Sequence, residues 1–122
     1  MERVEEFTRD GKSFMYIDLS NVMSNQEFLD LTELIKPLIA KYPEKSLHTI
    51  TSIENVIINP ESKAIVADFL KHNKPYVKYG TLIGMDGLKK IAFNTIFKLS
   101  GRSNMCSVST KEQAIEWLLK QE

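Results

Sequence analysis

Apolar and polar positions alternate in two different rhythms along the chain, and the changes of rhythm mark its elements. Val4 to Thr8 and Ser13 to Leu19 read as strands, with Arg9-Asp10-Gly11-Lys12 supplying Asp and Gly for a hairpin turn between them. The second run, SFMYIDL, is apolar on both faces as far as Asp18, which predicts an inner strand covered on both sides. The period then lengthens. Ser24 opens a capping box with Glu27, and Phe28, Leu31, Ile35, Leu38, Ile39 and Tyr42 recur at three and four residues, predicting a helix to about Lys41. Pro37 lies inside it, removes one amide donor, and is expected to bend the helix or end its regular part early.

Ser46 to Ile53 returns to alternation, with Leu47, Thr49, Thr51 and Ile53 set against His48, Ile50 and Ser52. His48 is read as a strand-surface residue. After the short apolar run Val56-Ile57-Ile58, Asn59 caps a helix with Pro60 at its first position. That helix turns Ile65, Val66, Phe69 and Leu70 inward and stops near Asn73, ahead of Pro75. Residues 75–101 form the centre of the pattern. Tyr76 to Ile83 is apolar or small on both faces apart from Lys78 and Thr81, Gly84 and Gly87 bracket a tight turn, and Asp86 is a candidate N-cap. Leu88, Ile91, Ala92, Thr95, Ile96 and Leu99 then predict one buried helical stripe closed by Gly101. Asn104 to Val108 is a fifth strand. Ser109 and Thr110 offer overlapping caps, with Glu112 and Gln113, for a last helix that buries Ala114, Ile115, Leu118 and Leu119 and leaves Trp117 to one side. No internal repeat, linker or low-complexity segment is evident.

The order β-β-α-β-α-β-α-β-α predicts a single α/β domain over residues 1–122. Its sheet has about five mostly parallel strands with an N-terminal hairpin strand, and four helices wind through it as a βα superhelix. A chain of 122 residues, 43% hydrophobic and 26% charged, fits one core. No apolar run has the length of a membrane span, and MERVEEF lacks an apolar signal core, so a cytoplasmic location is expected. The single cysteine, Cys106, agrees with a reducing compartment and reads as buried filler in its strand.

Sixteen basic residues balance sixteen acidic ones, which argues against nucleic acid as a partner. Lys71 to Arg102 nevertheless holds seven basic residues and the single acid Asp86. Within it, Lys89 and Lys90 occupy a first helical turn, where positive charge opposes the helix dipole. With Asp86 they mark a candidate anion site, for a phosphate head group or an acidic partner; the alternative is two lysines in water. Phe93 and Phe97 make a second apolar stripe. It serves as a partner or dimer surface, as part of a lipophilic pocket with Tyr79 and Met85, or as a face covered by the C-terminal helix through Trp117. His48 and His72 stand apart with no Cys/His cluster of zinc spacing, and His72 reads as a helix-end residue. No P-loop, GxSxG or GxGxxG occurs, and no nucleophile–base pair can be assembled, so neither cofactor nor enzyme activity is expected.

Three stretches, FMYIDLS, NKPYVKYGTLIGMDGLKK and STKEQAIEWL, together with the element order, resemble the STAS domain, in particular its SpoIIAA-like, anti-sigma-factor-antagonist branch. The likeness spans nearly the whole chain and implies a bacterial, non-enzymatic regulatory module that binds other proteins. Regulatory STAS domains carry Asp-Ser-Ser/Thr-Gly at a helix start, and a partner kinase phosphorylates the second hydroxyl residue. The equivalent place here is Asn59-Pro60-Glu61-Ser62. Glu61 fills the acceptor slot, Ser62 is one residue off, and the glycine is missing. The resemblance therefore implies a module without the phosphorylation switch, self-associating through its central helix. Glu61 acts either as a permanent negative charge or as an ordinary first-turn acid. The alternative function is a carrier or sensor for a small lipophilic or anionic-headed ligand, by fold analogy with the lipid-transfer CRAL-TRIO domain.

Overall fold

The computed structural model describes residues 2–85, 91 and 104–121. Five strands and three helices lie among them: β1 (Val4–Arg9), β2 (Lys12–Asp18), α1 (Asn25–Ile39), β3 (Leu47–Ser52), α2 (Pro60–Asn73), β4 (Val77–Ile83), β5 (Met105–Val108) and α3 (Lys111–Leu119). The helix expected at 88–99 falls outside the described residues except for Ile91. That residue is helical but 68% exposed, not in the core where the stripe put it. A helical stripe shows which side chains share a face, not which way the face points.

The strands form one sheet in sequential order, β1-β2-β3-β4-β5. The β1–β2 pair is antiparallel and the other three pairs are parallel. Asp10 and Gly11 both take positive φ between the paired residues Arg9 and Lys12, the geometry of a two-residue hairpin loop. A crossover of fixed hand that always steps the same way along a sheet places successive helices on one face. Accordingly α1 and α2 pack side by side, with Phe28, Ile35 and Ile39 from α1 meeting Ile65, Val66, Phe69 and Leu70 from α2 over Met15, Ile17, Leu47 and Leu82. Pro37 does not stop α1, which runs two residues further to Ile39.

Successive strand residues point to opposite faces. Phe14, Ile50 and Ile83 therefore form a second core with Ala114, Ile115 and Leu118 of α3. This second core is why all six residues of β3 are buried. His48 is only 4% exposed, which corrects its reading as a surface residue: alternation predicts two faces, and here a helix covers the second one as well. Lysines fasten α3 at both ends. Lys12 Nζ donates to the carbonyls of Leu118 (3.2 Å) and Leu119 (3.1 Å) at its C-terminal end, where the helix dipole favours a cation. Lys111, in its first turn, lies 4.5 Å from the Tyr16 ring centroid and 3.5 Å from the Glu5 carboxylate.

One short motif recurs at the carboxyl ends of β2 and β3. Asn21-Val22-Met23-x-Asn25-x-Glu27 returns 34 residues later as Asn55-Val56-Ile57-x-Asn59-x-Glu61. Both units leave a strand through an asparagine in the left-handed region (φ 62° and 59°), a conformation Asn tolerates. Val22 and Val56 are buried, while Met23 (59%) and Ile57 (42%) are exposed.

Candidate functional site

The repeated loops lie side by side at the carboxyl ends of β2 and β3, and lateral hydrogen bonds hold them together. Asn55 Nδ2 donates to Asn21 Oδ1 (2.9 Å), Asn59 Nδ2 to Asn25 Oδ1 (3.2 Å), and the Asn21 amide to the Glu54 carbonyl (2.8 Å). In open α/β sheets ligands bind outside the carboxyl ends of the strands. This edge carries the first group of predicted residues.

Asn59, Glu61 and Ser62 come together at the start of α2, where the Ser62 hydroxyl takes part in a capping box. Asn59 Oδ1 accepts from the Ser62 amide (2.8 Å), and Ser62 Oγ accepts from the Asn59 amide (2.9 Å) and donates to the Asn59 carbonyl (3.1 Å). This reciprocal capping box leaves Ser62 2% exposed, with its oxygen committed to the helix start. Glu61 points outward and its carboxylate accepts from Asn25 Nδ2 at 2.8 Å, tying the beginning of α2 to that of α1. Replacing Asn59 with alanine removes the cap and the lateral bond together. The expected loss is about 1–2 kcal/mol by chemical denaturation, against about 0.5–1.5 kcal/mol for Asn25→Ala, which breaks hydrogen bonds but no cap.

Further along the same edge is a hollow of about 180 Å³, lined by Glu54, Gly84, Met85, Val108 and Ser109. Ser109 leads into α3, whose cap is Thr110, accepting from the Gln113 amide at 3.1 Å. Tyr16 stands on the α3 face of β2. Burial raises its phenol pKa, the carboxylates of Asp18, Glu54 and Glu5 raise it further, and a hydrogen bond with Ser52 opposes them. Met85 and Tyr79 do not line one pocket. Met85 belongs to the core under α1 and α2, whereas Tyr79 packs with the α3 core, and the sheet lies between. Trp117 stands edge-on to Tyr79 with ring centroids 5.9 Å apart. The remaining candidates, Asp86, Lys89, Lys90, Phe93 and Phe97, lie outside the described residues.

Sequence reasoning missed an aromatic row across the α3 face. Phe7 and Phe14 meet edge to face (5.1 Å), Phe14 tilts against His48 (5.5 Å), and His48 stacks with Tyr79 (6.4 Å). His48 Nδ1 is 3.3 Å from the Ser13 carbonyl oxygen, and Nε2 is buried with no hydrogen-bond partner among the described residues. Burial lowers the pKa of this imidazole; the Ser13 carbonyl opposes the shift, and Lys12 and Lys78 add to it. His72 matches its helix-end reading, with Nδ1 2.9 Å from Asn73 Oδ1. Cys106 is half-buried on β5, more open than the filler role implies.

Among the described residues no three His, Cys, Asp or Glu side chains gather into a metal site, and no helix is long and apolar enough to cross a membrane. Compared with protein-family models and with curated proteins, the chain matches none.

Proposed function

We propose that the chain is a non-enzymatic STAS-like interaction module whose binding is not switched by phosphorylation at the start of α2. The observation that carries this reading is the burial of Ser62 inside the Asn59 capping box, beside a Glu61 already engaged by Asn25. The STAS reading rests on the resemblance of the three sequence stretches, and the hairpin followed by parallel βα steps in sequential strand order supports the α/β class to which that fold belongs. The contact surface in this proposal is the carboxyl edge. There the paired loops hold Met23 and Ile57 exposed above a fixed asparagine framework, and apolar side chains set in a rigid polar surround favour protein contact. Self-association is the simplest use of such an edge, with Phe93 and Phe97 of the central segment as a second proposed contact.

A carrier of small ligands is the second reading, favoured by the hollow beside Gly84. Its volume of about 180 Å³ suits a small polar molecule better than an acyl chain.

Native mass spectrometry of the purified chain tests both readings. The expected species is an unphosphorylated, ligand-free dimer that Met23→Glu combined with Ile57→Glu returns to monomer. Phosphate on Ser62 overturns the absence of a switch, and a monomer with a stoichiometric adduct transfers the argument to the carrier. A bare monomer removes self-association from the proposal.

A further inference from the structure

His48 is a titratable group with an unused nitrogen beneath the one helix that covers its face among the described residues. Its Nδ1 faces the Ser13 carbonyl at 3.3 Å, so Nδ1 carries the hydrogen and Nε2 presents a bare lone pair to a buried, largely aromatic surround. Such an acceptor is a standing destabilisation of the docked arrangement. The charged groups acting on the ring are both cations, Lys12 from β2 and Lys78 from β4. Tyr79 stacks on it from β4, and Trp117 of α3 stands edge-on to Tyr79. Lys12 is also the residue whose ammonium binds the last carbonyls of α3. One side chain therefore both senses the charge on His48 and holds the helix.

We propose that His48 and Lys12 make the docking of α3 dependent on pH: protonation of His48 Nε2 puts another cation beside Lys12 under α3, the helix leaves the sheet, and Phe14, Ile50 and Ile83 are uncovered. The proton comes from water and no covalent bond changes. The direction follows from the two states. In the released state His48 titrates near the ordinary value of about 6.5. In the docked state it titrates lower. Above about pH 6.5 neither state holds the proton and docking is at full strength. As the pH falls below that value the released state gains the proton first, so docking weakens until the docked pKa is passed. Each unit between the two pKa values raises the release constant about tenfold.

Trp117, the single tryptophan, reports on this directly from α3. In the intact chain, tryptophan emission is expected to shift to the red between about pH 7.5 and about pH 5.5. Over the same range the exchange protection of α3 amides, corrected for intrinsic rates, should fall while that of α1 and α2 holds. His48→Phe keeps a ring in the site and should abolish the acid step. Lys12→Met should leave α3 less protected already at neutral pH, with a smaller acid step. A wild-type emission that stays flat overturns the proposal. So does an acid shift that survives His48→Phe, or a loss of α1 and α2 protection in step with α3.

Discussion

Substituting Gly84 with alanine should lower stability by about 3 kcal/mol or more, a large share of the roughly 5–15 kcal/mol that holds a domain of this size. Gly84 follows β4 directly and has φ of 96°. That backbone conformation is strained for any residue with a Cβ. Space is short as well. A Cβ there would stand 2.7 Å from the Glu54 backbone nitrogen and 2.9 Å from Glu54 Cα. Those atoms belong to the segment that pairs with the Asn21 amide, so they cannot yield without disturbing the framework of the carboxyl edge. Gly11 is the matched control. It too has positive φ (77°), but nothing lies within 4 Å of its would-be Cβ. Gly11→Ala should cost only the conformational part, about 1 kcal/mol. Urea denaturation of both variants separates strain from overlap; equal losses would show that the approach to Glu54 is not the reason for glycine at position 84.

That contrast bears on what sequence could and could not reveal. Turn chemistry and caps are local, and several of them are legible in the sequence, whereas Asp86 and Gly101 lie outside the described residues. Asp10-Gly11 makes the hairpin, Ser24 accepts from the Glu27 amide, and Asn59-Pro60 starts α2. The parallel succession was legible too, because long βα steps leave few other topologies. The facing of each helix was not legible. Apolar stripes on α1 and on α3 look alike, yet one packs with α2 and the other lies across the sheet from it. For the same reason a histidine in an alternating strand looked exposed, and Tyr79 and Met85 looked like neighbours. The repeated motif is short: its matches at Asn21/Asn55, Val22/Val56, Asn25/Asn59 and Glu27/Glu61 span only the loops and the first turns of α1 and α2. Beyond those first turns the helices share only their apolar character. Lys12 in a hairpin reads as a solvated charge, and only the folded chain places its ammonium at the end of α3, 106 residues away.

Truncating Phe14 and Phe28 should produce losses of similar size and different character. Both are buried to within 1% and each fills a core, so Phe→Ala is expected to cost about 3–5 kcal/mol at either site. Phe28 anchors α1 in the core it shares with α2, where the lateral asparagine bonds and the Lys36–Asp68 ion pair tie the two helices into one unit. Its loss should lower the stability of both helices together. Phe14 sits in the smaller core, where α3 supplies Ala114, Ile115 and Leu118 from nine residues of helix. A helix this short has little stability apart from the surface it rests on. Phe14→Ala also removes the edge contact with Phe7 and the tilted contact with His48. The expected result is local: α3 amides lose exchange protection and Trp117 emission shifts to the red under conditions where α1 and α2 remain protected. Phe14→Leu should show the same order at smaller amplitude if the alanine variant does not accumulate. Equal loss of protection across all three helices in the Phe14 variants would mean that the two cores melt as one. The sheet would then transmit the damage from one face to the other, and α3 could not move without the rest of the fold.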